Sequence, residues 1–113
     1  MVSDAAGILS WRHPNFGTYS STTSATGSYV IPDETYTLRI NNQVSSVTIP
    51  DAATNKGRIL FLINWPGNSY KTFDFLNGND LFDITANSTV TGINPGQKYL
   101  IQSAGNRWIL LDK

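Results

Sequence analysis

Ile59-Leu60-Phe61-Leu62-Ile63 runs without a polar residue, between Gly57-Arg58 on one side and Asn64-Trp65-Pro66-Gly67 on the other. A continuously apolar run bounded by turn residues reads as a strand buried on both faces, and the core is expected to form around it. Trp108-Ile109-Leu110-Leu111 is a second run of this kind. An apolar strand so close to the end of the sequence must be tied down, or it frays and aggregates.

Outward from these two runs the chain keeps a β rhythm. No window repeats apolar residues at i, i+3, i+4 and i+7 over three turns, so no long amphipathic helix is expected. Short β-favouring runs recur instead, bounded by Gly, Pro, Asn and Asp. They predict strands at 8–12, 28–31, 36–40, 46–49, 58–64, 70–76, 81–84, 89–93, 98–102 and 107–111. Trp65-Pro66-Gly67-Asn68 is a turn, because Pro presets φ and Gly supplies positive φ. Asn94-Pro95-Gly96 and Ala104-Gly105-Asn106 close two more connections, and Asn77-Gly78 carries a hairpin signal. Residues 20–28 are low-complexity polar sequence, a mobile loop or an extended segment held by neighbours. The chain therefore divides into an N-terminal arm or stalk end, 1–27, and a compact β-domain, 28–113, that holds nearly all the aliphatic residues.

Composition narrows the function classes. The 113 residues suit one domain, and eight basic residues balance eight acidic ones. Nucleic acid and anionic membrane both select for excess Lys and Arg, so neither is an expected partner. Charged residues are 14% of the chain, against ~25% in an ordinary domain. Ser, Thr, Asn and Gly replace them, which suits a β-structure that associates with itself or with an uncharged polar ligand. There is no Cys, hence no disulfide framework, thiolate metal site or Cys nucleophile. No apolar run approaches the ~20 residues of a membrane span. Met1-Val2-Ser3-Asp4 has neither a basic nor an apolar leader segment, so no signal peptide is read there.

Few residues invite chemistry. His13, in Arg12-His13-Pro14, is the only histidine and has no Ser, Cys or acid beside it, so a turn or stalk contact is its simplest role. Asn77, Asn79, Asp80 and Asp83 form an oxygen-rich stretch. It lacks the alternation and terminal Glu of a calcium loop, and reads as turn chemistry. Asp33-Glu34 is a weaker carboxylate pair in a loop. No nucleophile–base pair, metal motif, phosphate loop or cofactor fingerprint is present, so the chain is read as non-enzymatic and without cofactors or metal.

One aromatic and polar stretch stands out. Trp65, Tyr70, Phe73 and Phe75 surround the polar Asn68, Lys71 and Asp74, and alternation along 70–75 sends Phe73 and Phe75 toward the core and Tyr70 and Asp74 outward. Stacked aromatics with neutral polar groups are what a sugar ring needs. Trp65, Asn68, Tyr70 and Asp74 are therefore the candidate ligand-binding residues. The competing role for Trp65 is to cap the core or a subunit seam. Trp11 and Trp108 are read as packing residues.

Three segments also resemble a known family. Ser3-Asp4-Ala5-Ala6-Gly7-Ile8-Leu9-Ser10-Trp11 resembles a unit that precedes the terminal domain in long fibre proteins. The stretch from Val47 to Ile59, with Ile49-Pro50-Asp51-Ala52-Ala53-Thr54-Asn55-Lys56-Gly57-Arg58 at its centre, is similar to the strand–turn–strand of C-terminal domains of bacteriophage tail fibres. Ala104-Gly105-Asn106-Arg107-Trp108-Ile109-Leu110 fits the closing strand of those domains, without the acidic residue before Gly105. The sequence departs from the pattern at Trp65-Pro66-Gly67-Asn68, where the family continues with a basic residue and Asn.

The resemblance implies an all-β, sandwich- or prism-like domain in an intertwined or closely packed homotrimer, at the tip of a virion tail fibre and so extracellular. Its implied role is fibre assembly and attachment to a glycan or surface protein of a bacterial host. A pure trimerisation and folding module without ligand, or a bacterial secreted adhesin domain, are the alternatives. The residues of the central motif explain themselves as scaffold. Pro50 ends a strand, Asp51 forms an Asx turn, Ala52 and Ala53 permit a tight crossing, and Gly57 allows positive φ.

Overall fold

The computed structural model describes residues 2–3, 9–10, 18–22 and 27–113. Trp11, His13 and most of the fibre-like segment 3–11 lie outside the described residues, as do residues 23–26 of the polar stretch. The fold is all-β. Strands β1 (Val2–Ser3) and β2 (Leu9–Ser10) pair antiparallel as a small sheet of their own.

Six strands then alternate between two larger sheets: β3 (Thr18–Ser21), β4 (Gly27–Val30), β5 (Thr35–Ile40), β6 (Val44–Ile49), β7 (Ile59–Asn64) and β8 (Lys71–Phe75). The odd strands run parallel in one sheet and the even strands parallel in the other. Each odd–even pair is one rung of a short solenoid, and three rungs stack. The last strands close the stack. They are β9 (Leu81–Asp83), β10 (Ser88–Val90), β11 (Gly92–Ile93), β12 (Lys98–Ser103) and β13 (Trp108–Asp112). β12 joins β7 antiparallel, β13 lies between β12 and β9, and β11 completes the smaller sheet. The sheet orders are β10-β9-β13-β12-β7-β5-β3 and β11-β8-β6-β4. β3, inside the stretch expected as an arm, is thus an edge strand of the seven-stranded sheet.

Side-chain alternation builds one core between the sheets. Leu38, Ile40, Leu60, Leu62, Ile101, Leu81 and Trp108 point inward from the larger sheet, and Val44, Val47, Ile49, Phe73 and Ile93 join them from the smaller. The run 59–63 departs from expectation in one respect. Leu60 and Leu62 are fully buried, whereas Ile59, Phe61 and Ile63 are only half-buried on the outer face of the sheet. A single chain covers one side of this strand.

The expected hairpin at Asn77-Gly78 is a crossing instead. β8 and β9 belong to different sheets, and the chain passes between them through a 3-10 turn, Leu76–Gly78, with Asn77 at φ 54°. Ala104-Gly105-Asn106 is a true hairpin, closed by the Ala104 amide donating to the Arg107 carbonyl.

The motif at 50–58 forms the scaffold hub. Pro50 follows the last residue of β6. Asp51 Oδ1 accepts from the Ala53 amide at 3.1 Å, and Gly57 takes φ 86°. Asn79 Oδ1 accepts from the Ala52 amide at 2.7 Å, and Ser103 Oγ donates to the Ala52 carbonyl at 2.7 Å. Ala52 itself is fully buried. Every polar group of the motif named here is engaged within the fold.

Candidate functional site

The loop from Trp65 to Tyr70 links β7 to β8 and crosses between the sheets. Its turn is closed by the Asn68 amide donating to the Trp65 carbonyl at 3.2 Å, with Gly67 at φ 90°. Asn68 then pins the loop to the core. Its Nδ2 donates to the Ile40 carbonyl at 2.7 Å and to Asn64 Oδ1 at 3.0 Å. Asn64, itself buried, donates to the carbonyls of Ser69 and Ile93, both at 3.0 Å. The loop is thus held by paired amides rather than by apolar contact, which fixes its shape.

The candidates divide across the two sheets. Trp65 is 46% exposed and lies against the outer side of the seven-stranded sheet, with the Arg39 guanidinium 4.0 Å from its ring centroid. Such a stack is worth about 0.5–1 kcal/mol at an exposed site. Tyr70 is equally exposed, but its ring lies over Gly92 of β11 and its hydroxyl meets Thr91 Oγ1 at 3.2 Å. Asp74 is exposed on the outer face of the four-stranded sheet. Asn68 acts as the loop's anchor, with its amide nitrogen committed to the core. The expected alternation holds in that Phe73 is buried and Tyr70 and Asp74 are exposed, but Phe75 is only half-buried, and Lys71, grouped with the polar residues, is fully buried.

The outer face around Asp74 is a patterned polar surface. Register aligns Ser28, Ser46 and Thr72 in one ladder, and Val30, Thr48 and Asp74 in the next. Sequence reasoning missed Ser28, Ser46 and Thr48 because a parallel ladder joins residues 18 to 26 positions apart. Their alternation with buried Val47 and Ile49 is the signal that marks them as outward.

Lys71 is the unusual ionisable group. It is fully buried, and its ammonium donates to Asn42 Oδ1 at 3.0 Å, Ser69 Oγ at 3.2 Å and the Asn42 carbonyl at 3.4 Å. Among the described residues no carboxylate pairs with it. Burial therefore holds its pKa below the ordinary lysine value. A folded-state pKa below the unfolded one means that the charged form opposes folding. That penalty is complete below the folded pKa and is relieved as pH climbs from there toward ~10.4, the free lysine value. Urea midpoints of the wild type and of Lys71→Met should therefore converge or cross in the wild type's favour between neutral pH and about pH 10. A difference between them that is independent of pH would show that the ammonium carries no such penalty.

The oxygen-rich stretch is consumed internally. Asp80 accepts a two-pronged contact from Arg107 at 2.7 and 2.9 Å, which lowers its pKa. Asp83 accepts from Lys113 Nζ at 2.8 Å and from the Ala86 amide at 3.2 Å, and is lowered chiefly by the lysine. Asn77 donates to Asp51 Oδ2 at 2.7 Å. Among the described residues no group of three or more His, Cys, Asp or Glu converges as a metal site would require. The best-formed concavities are shallow, about 120 and 100 Å³, and lie beside Phe61, Leu100 and Lys113 and beside Asp83 and Leu110, away from the 65–74 region. Among the described residues no helix is long and apolar enough to cross a membrane. No protein-family model matches this chain, and no curated protein or solved structure matches it.

Proposed function

We propose that this chain is the trimeric tip domain of a fibre of the bacteriophage tail type, which assembles the fibre and recognises a surface glycan of a bacterial host. The observation that carries the recognition half is the 65–70 loop. Tyr70, half-exposed over Gly92 at the end of the Ser28–Ser46–Thr72 ladder, follows a turn that Asn68 and Asn64 lock to the core, whereas Trp65 lies on the other sheet. A preorganised aromatic on a rigid scaffold binds without the cost of ordering a loop. The Ser/Thr ladders beside Asp74 supply neutral donors and acceptors of the kind sugar hydroxyls need. Sparse charge makes the expected binding weakly dependent on salt, and three copies on one tip would raise a weak single-site affinity by avidity.

A second reading, a pure assembly module, is favoured by the shallowness of the concavities, since small-molecule pockets usually enclose ~300–1,000 Å³. The test is an array of bacterial surface polysaccharides probed with the wild type and with Tyr70→Ala/Asp74→Ala, both on the four-stranded side. Retention of a glycan by the wild type and a loss of ten-fold or more in the variant is the expected result. Equal binding moves the site elsewhere, and binding by neither protein to any polysaccharide favours the assembly module.

A further inference from the structure

The two outer faces of the domain are unlike. The four-stranded sheet presents Ser, Thr and Asp, with Val30 the one large aliphatic in its ladders. The seven-stranded sheet presents three ladders of a different kind. The middle one runs Tyr19, Thr37, Phe61, Leu100, Asp112. On one flank lie Ser21, Arg39, Ile63 and Lys98, and on the other Ile59, Gln102, Ile109 and Phe82. This is the side on which the apolar run 59–63 remains half uncovered. Tyr19, in the middle ladder, is 61% exposed.

We infer that the outer face of the seven-stranded sheet is where copies of this chain pack, around an axis parallel to the stacking of the rungs, with Phe61 and Leu100 nearest that axis. The inference rests on the trimeric reading above and adds the surface and its geometry. Strands of six residues make the face ~20 Å wide, and its five longest strands make it ~24 Å tall. Three faces of that width close a triangle whose centre is ~6 Å from each, about one large side chain, so the middle ladders fill it. Each face offers on the order of 500 Å² in projection and more as accessible surface, approaching the ~800 Å² per partner of a stable interface. On the flanks charge fits a head-to-tail ring, while Asp112, at one end of the middle ladder, sets a carboxylate of each copy beside the axis. The flank bearing Arg39 and Lys98 meets the neighbour's flank of Ile59, Gln102, Ile109 and Phe82, where Arg107, stacked over Phe82, is already paired with Asp80.

The test is light-scattering mass of Phe61→Lys/Leu100→Lys beside the control Ser46→Lys/Thr72→Lys, each with its far-ultraviolet circular dichroism. A folded monomer for the first and a trimer for the control support the inference. Two trimers overturn it and leave trimerisation by another face. A monomeric wild type overturns the trimeric reading and this inference with it. If the first variant fails to fold, maleimide labelling of Leu100→Cys and Thr72→Cys answers the same question, since the chain has no other Cys. Protection at 100 with rapid labelling at 72 supports the inference, and equal labelling overturns it.

Discussion

Trp108→Ala is expected to bring the domain to the edge of unfolding. Trp108 is fully exposed to the core and not to solvent, the largest side chain buried completely among the described residues. Truncating a buried Trp costs about 3–5 kcal/mol in transfer and cavity energy. Its Nε1 also donates to the Pro50 carbonyl at 2.9 Å, in a buried bond that ties the last strand to the scaffold hub. Leaving that carbonyl unpaired adds roughly 1–3 kcal/mol. Net stability of a domain is only about 5–15 kcal/mol. Trp108→Phe keeps most of the volume and should cost far less, which separates packing from the lost bond. Removing 108–113 altogether should abolish folding. β13 is an interior strand, so its loss exposes the edges of β12 and β9 and cuts β9 and β10 from the sheet. Thermal melts of the three proteins provide the check. A truncated chain that stays soluble with an unchanged melting temperature would contradict the central position given to this strand.

How much of this was legible depended on whether a signal was local. Pro50, Asp51 and Gly57 act through their own backbone, and each sits where its chemistry placed it. The turn at Trp65-Pro66-Gly67-Asn68 was legible for the same reason. Topology was not. A turn such as Asn77-Gly78 has the same composition whether it reverses the chain within one sheet or carries it across to another. The solenoid was further hidden by unequal rungs, because the motif at 50–58 lengthens the step between β6 and β7. The candidate site was half legible. Alternation correctly turned Tyr70 and Asp74 outward, yet proximity in sequence grouped them with Trp65, which the crossing at 65–70 sends to the other sheet. Asn68 sends its amide nitrogen to the carbonyl of Ile40, on a strand that sequence alone does not bring beside it. The uniform run 59–63 signalled two buried faces, and the fold of one chain accounts for one of them.

Arg58 carries the second large effect. It stands just before β7, yet its Nη2 donates to the carbonyls of Pro32 at 2.7 Å and Thr35 at 2.8 Å, at the corner between β4 and β5. Its Nη1 donates to Asn55 Oδ1 at 3.1 Å, within the scaffold motif. One guanidinium therefore ties all three rungs. Its positive charge persists because an arginine remains protonated even where burial, as here, lowers its pKa. Hydrogen bonds from a charged donor contribute about 1.5–3 kcal/mol each, less where water can replace them. Arg58 is half-buried, so Arg58→Ala is expected to cost about 2–4 kcal/mol in a urea titration. Arg58→Lys should recover less than half of that loss. A single ammonium cannot reach two carbonyls and an amide oxygen in the directions that a planar fork spans. Hydrogen exchange locates the damage, because the amides of β5 should open before those of β12 if the corner is what the guanidinium holds. A lysine variant as stable as the wild type would mean that charge alone suffices at this position, and that the three rungs are held together by packing without the clamp.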